Sequence, residues 1–149
     1  MKLTENFYVK EILTSESRPD LLEDVVLTES HILRAKLHAE GALQPIRNRW
    51  GMVSIESWHR TERLNKALKG AEYSDHLEYE TTDFVIDEFR GLDKMFDVFK
   101  WIANSTIPYR QIIYYQKSNI NFIHISSNYP GKDYKHQRLI KGVEGFREW

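Results

Sequence analysis

Two imidazoles and one carboxylate are the side chains here whose types and spacing could do chemistry. His76 and Asp83, six residues between them, bracket the run Leu77-Glu78-Tyr79-Glu80-Thr81-Thr82, and His124 sits in the apolar run Phe122-Ile123-His124-Ile125-Ser126. Two imidazole nitrogens and a carboxylate oxygen are a recurring catalytic zinc set, because three protein ligands leave the fourth position for water. The same residues also suit a loop histidine hydrogen-bonded to a strand carboxylate, with His124 a half-buried strand residue. Spacing alone leaves both readings open. Cysteine is absent, so any metal must be held by His, Asp or Glu, and disulfide frameworks, iron–sulfur clusters and cysteine nucleophiles are excluded.

Something must position those three residues, and 149 residues suffice for one domain. The expectation is a single domain over 1–149, with an N-terminal arm at 1–20 and a C-terminal docking tail at 128–149. Lys and Arg total 21 against 22 Asp and Glu, a formal charge of -1, so no global field attracts nucleic acid or an anionic membrane, and neither partner is expected. The apolar runs fall short of the roughly 18 residues that span a bilayer, and the opening residues lack the apolar block of a signal peptide. The local basic region, with Lys132, Lys135, Arg138, Lys141 and Arg147, is diluted by Asp133, Glu144 and Glu148 and reads as a docking tail.

A brief helix carrying Phe7, Val9, Ile12 and Leu13 is expected after Thr4, then a polar stretch from Thr14 to Asp20. Thr28 and Ser30 open a longer helix carrying Ile32, Leu33, Leu37, Leu43, Ile46 and Trp50, which Pro45 should kink or divide and Gly51 should stop. His31 and His38 lie on one face of it, read as a solvated face. Val53, Ile55 and Ser57 alternate as a strand, Thr61 to Leu68 is helical, and Thr81 to Ile86 is a second strand. Leu92, Met95, Phe96, Phe99 and Ile102 mark an amphipathic helix. Ile112 to Gln116 and Ile120 to Ser126 are β-rich, with Lys117-Ser118-Asn119 as a hairpin turn between them. Helices that precede and interrupt antiparallel-looking strands argue for an α+β fold, a small antiparallel sheet flanked by helices.

Several segments in the right order resemble the zinc D-alanyl-D-alanine carboxypeptidases and related peptidoglycan peptidases, particularly their small members in bacteriophages. Leu3-Thr4-Glu5-Asn6-Phe7 is similar to the family's N-terminal segment, and Leu43-Gln44-Pro45-Ile46-Arg47 to its Leu-x-Pro-Leu-Arg helix. Ile55-Glu56-Ser57-Trp58-His59-Arg60 with Leu64-Asn65 resembles Ile-Thr-Ser-Gly-Tyr-Arg followed by Leu-Asn. Ser74, His76 and Asp83 match the zinc motif, Gln111-Ile112-Ile113-Tyr114 the strand before the active site, and His124-Ile125-Ser126 the last ligand. The resemblance implies the Hedgehog/DD-peptidase-like fold and one zinc ion on His76, Asp83 and His124. It also places Arg60 and Ser74 on the substrate side.

Three departures accompany it. The family's glutamate base, at the end of the Gln-x-Ile-Tyr strand, corresponds to Tyr115 and Gln116, with Gln116 taken as the degenerate base position. An amide can hold water but cannot take its proton, which forfeits an acid–base contribution of about 10²–10⁴-fold. Trp58 and Tyr79 replace glycines of the family pattern, and large aromatics there would either roof the cleft or pack in the core. Phe122 replaces the usual Trp. The leading expectation is a phage-derived, catalytically degenerate relative serving as a structural or binding component of a virion. Alternatives are an active zinc peptidase cutting cell-wall peptide and a non-catalytic peptidoglycan-binding module. Partners would be other virion proteins, through the two terminal segments, or peptidoglycan peptide. The location would be a virion or the bacterial host cytoplasm.

Overall fold

Thr28 caps the first long helix as its sequence requires: its hydroxyl accepts from the His31 backbone N–H, while His31 Nδ1 accepts from the Thr28 N–H, each at 3.2 Å. The computed structural model describes residues 1–117, 120–128 and 135–149. In it α1 (Glu29–His38) runs through a π-helical segment, Ala39–Leu43, into α2 (Gln44–Trp50) without a break. Pro45 therefore does not divide the helix. A proline ring would collide with the carbonyl four residues back, and the wider turn before Pro45 makes room for it. Gly51, at φ 99°, ends the run in a conformation that L side chains rarely adopt.

The strands are β1 (Val53–Ser57), β2 (Thr81–Ile86), β3 (Tyr109–Lys117), β4 (Ile120–Ser127), β5 (Gln137–Gly142) and β6 (Gly145–Glu148). They form one six-stranded sheet in the order β1-β2-β4-β3-β5-β6. The α+β class holds, but the sheet is mixed and larger than the small antiparallel one expected, because β5 pairs parallel to β3. Residues 137–148, expected within a docking tail, are two strands of that sheet. Their sequence lacks a clean period of two, and their pairing with β3 is a long-range contact. β3 and β4 are antiparallel neighbours as the hairpin reading requires; its turn residues 118 and 119 lie outside the described residues, as do 129–134, which include Lys132 and Asp133 of the basic region.

Alternation divides the sheet into two faces. Phe84, Ile86, Ile112, Tyr114, Ile123, Ile125 and Ile140 join the core. Two further helices are α3 (Glu62–Ala67), capped by Thr61, and α4 (Lys94–Ala103). α4 buries Met95, Val98, Phe99 and Ile102, and both Phe96 and Phe99 meet Tyr114, with centroids at 5.2 and 6.0 Å. Leu33, Leu37 and Leu92, counted in the apolar patterns, are exposed instead. The N-terminal segment is no free arm: Leu3, Phe7 and Ile12 are core residues, and the Thr4 hydroxyl donates to Gln44 rather than capping the short 3₁₀ helix Val9–Leu13. Among the described residues no helix is long and apolar enough to cross a membrane.

Candidate metal centre

The sheet face opposite the core carries Asp83 on β2 and His124 on β4, directly paired across the two strands. His76 reaches them from above, on the 3₁₀ turn Asp75–Leu77, which Ser74 caps by accepting from the His76 N–H at 3.2 Å. That turn is strapped to the segment after β1 at two points. His76 Nδ1 lies 2.7 Å from the Trp58 carbonyl, and the Arg60 N–H donates to the His76 carbonyl at 2.6 Å.

The three residues named from sequence thus converge. His76 Nε2 lies 3.1 Å and His124 Nδ1 2.9 Å from the same oxygen of Asp83, and the ligand atoms all fall within 4.8 Å of one another. All three residues are buried. A carbonyl only accepts, so His76 carries its proton on Nδ1, and in the neutral ring the Nε2 lone pair faces the carboxylate. His124 is turned likewise, its Nε2 lying 3.1 Å from the Ser126 hydroxyl. Two imidazole nitrogens converging on one carboxylate oxygen are matched either by protons on the rings or by a metal ion among the three atoms, and the outward nitrogens are held as metal-bound histidines need.

Burial favours the neutral form of Asp83, yet the charges and hydrogen bonds of His76 and His124 outweigh it and hold the carboxyl well below its usual range. Burial pushes His76 down despite Asp83 beside it. A carboxylate is the form of Asp83 that a metal needs.

Sequence reasoning missed the layer behind the ligands. Ser126 donates to Asp75 at 3.1 Å, receives a hydrogen bond from Thr81 at 3.1 Å, and so links His124 to a buried carboxylate that Arg110 also pairs. The register slips between Tyr109 and Gln111, and a bulge of this kind can re-aim a side chain such as Arg110. The signal available was parity, since Ser126 stands two residues after His124 on one strand.

A cleft of about 660 Å³ opens over the three ligands, within the usual size range of a ligand site. Arg60 and Ser74 line it. Arg60 stands 3.7 Å from the second Asp83 oxygen, and its buried Nε has no hydrogen-bond partner among the described residues. Gln116 is not there: it is exposed and, one residue past Tyr115, faces away from the ligands. Tyr115 occupies the cleft position instead, stacked on Phe122 at 4.4 Å. Burial and the nearby Asp83 charge push its phenol up to about 12, so it stays protonated. Among the described residues the lining carboxylates are Asp75 and Asp83, both already engaged.

Trp58 and Tyr79 do not roof the cleft. Trp58 is wholly buried and its indole N–H donates to the Tyr79 carbonyl at 2.8 Å. Tyr79 is sandwiched between His31 and His59, at 4.2 and 4.1 Å. Nor is the α1 histidine face solvated. His38 is buried between the Ser127 and Thr82 hydroxyls, at 2.6 and 3.1 Å.

A family model described as Peptidase M15 matches residues 7–126, which include all three candidate ligands. No curated protein and no solved structure matches.

Proposed function

The chain belongs to the Peptidase M15 family, a zinc D-alanyl-D-alanine carboxypeptidase-type family, and from that premise we propose that it binds cell-wall peptide at a zinc centre while lacking the base for efficient cleavage. His76, Asp83 and His124 would hold the ion. Zinc bound there supplies Lewis-acid polarisation of a carbonyl and a lowered water pKa. The remaining work falls to the chain: Arg60 presents a guanidinium to a ligand carboxylate, and the Tyr115 phenol offers a hydrogen bond to an oxygen over the ligands. Ser126 and Asp75 fix the ring of His124.

The observation that carries the reading is that Tyr115, one of the two positions the resemblance sets against the glutamate, takes the cleft face while Gln116 faces away. A phenol held protonated to about pH 12 donates but does not accept a proton at neutral pH. The open cleft supports a binding component over a closed scaffold. A virion setting, with virion proteins as neighbours, is the part of the proposal that rests on resemblance to small phage members alone.

Metal analysis combined with muropeptide binding and cleavage assays tests it. The wild type is expected to retain about one zinc per chain and bind peptide with little turnover. Tyr115→Glu should raise cleavage by up to about 10²-fold, whereas Gln116→Glu should not, because residue 116 faces away. Robust wild-type cleavage abolished by chelation would sink the degenerate reading in favour of an active peptidase, which the complete ligand set also suits.

A further inference from the structure

β5 and β6 lie beyond residue 126, where the family match ends, yet they supply part of the cleft wall through Leu139, Lys141 and Phe146. Their charge is the unexplained feature. Both lining carboxylates are matched by guanidiniums, Asp75 by Arg110 and Asp83 by Arg60. Lys69, Lys135 and Lys141 line the same cleft with no carboxylate ion pair among the described residues. A chain of formal charge -1 therefore carries a cationic cleft.

The register places the surplus. Phe122, Tyr115, Lys141 and Phe146 form one row across β4, β3, β5 and β6, next to the row that begins at His124. Lys141 Nζ sits over the Phe146 ring, 4.8 Å from its centroid, and both side chains line the cleft. Arg60 follows β1, so it stands on the opposite side of the metal ligands from Lys141. From β4 to β5 is two strand spacings, and one row along adds two residues, which puts the Lys141 backbone about 12 Å from that of His124. An extended peptide covers that distance in about three or four residues.

We propose that Lys141, supported by Lys135, forms an anion subsite that receives a carboxylate carried about three residues from the metal-bound end of a peptide ligand. This deepens the peptide-binding reading and rests on it. In a stem peptide the group at that distance is the free α-carboxylate of a γ-linked D-glutamate, so the cleft should prefer acidic stem peptides to their amidated twins.

Calorimetry on the zinc-loaded full chain tests this with L-Ala-γ-D-Glu-L-Lys-D-Ala-D-Ala and the same peptide carrying D-isoglutamine. The acid is expected to bind about five- to tenfold more tightly at low salt. The ratio should fall towards one in Lys141→Met, which keeps an apolar side chain beside Phe146, and in high salt, which screens an exposed charge. Lys36→Gln, outside the cleft, should leave the ratio unchanged. If Lys141→Met melts early, Lys135→Gln and the salt series carry the same readout. Equal affinities for the two peptides overturn the subsite and leave peptide binding standing; binding of neither overturns both.

Discussion

Two groups of histidines lie on opposite faces of one sheet and have opposite fates. On the cleft face His76 and His124 give their outward nitrogens to Trp58 and Ser126 and turn the others onto one oxygen of Asp83. On the other side His38 has both nitrogens matched by hydroxyls, His31 closes a capping box, and His31 and His59 stack on Tyr79. Every imidazole in the second group serves packing or local hydrogen bonding. The difference teaches that a histidine becomes a ligand candidate through where its second nitrogen is spent and whether its lone pair meets a carboxylate under open space.

The largest effect that should separate the two groups is on metal. Asp83→Ala is expected to cut zinc affinity by about a thousandfold or more, since it removes the anionic ligand, as measured by competition with a chromophoric chelator. His38→Ala should leave zinc affinity nearly unchanged but cost about 2–4 kcal/mol of stability in denaturant unfolding. It opens a cavity beside Trp58 and strands the Thr82 and Ser127 hydroxyls. A zinc loss in His38→Ala as deep as in Asp83→Ala would erase the distinction.

Ser126→Ala should weaken zinc binding by about 10- to 100-fold with the three ligands intact, because His124 loses the partner that orients its ring. Unchanged affinity would show that Ser126 only packs. The most gradual effect is in pH, spread over several units. Burial lowers His38 to about 3 and His59 to about 4, both from 6.5. Above pH 6.5 neither is protonated in either state and their contribution is fully present. Below it the unfolded chain takes up protons that the folded chain refuses, so stability falls with pH, by up to about 1.4 kcal/mol per unit for each group. The loss continues to about pH 4 for His59 and pH 3 for His38. His38→Gln should flatten that slope in chemical denaturation between pH 6 and 4, whereas an unchanged slope would remove His38 from the account.

Local signals were read where local physics decides. Thr28, Thr61 and Gly51 end helices because a hydroxyl or a positive φ acts within one turn. Val53 to Ser57 and Thr81 to Ile86 are strands at the residues their composition marks. β5 escaped because Leu139 and Ile140 are adjacent rather than alternating, and its stability comes from a parallel partner far back in the chain. Gln116 faces away from the ligands while its neighbour Tyr115 faces them, because in a strand one residue is a change of face.

By itself the sequence determined the donor types, their order, and the absence of any thiolate alternative. It also set the family to which the chain belongs, whose model matches residues 7–126. Only the tertiary structure decided that His76, Asp83 and His124 meet, that Tyr115 rather than Gln116 faces them, and that Asp75, Arg110 and Lys141 join the same cleft. The reason is physical. His124 lies 41 positions from Asp83 in sequence, and strand register, fixed by burial of the opposite face against α1, α2 and α4, is what sets their nitrogen and oxygen 2.9 Å apart.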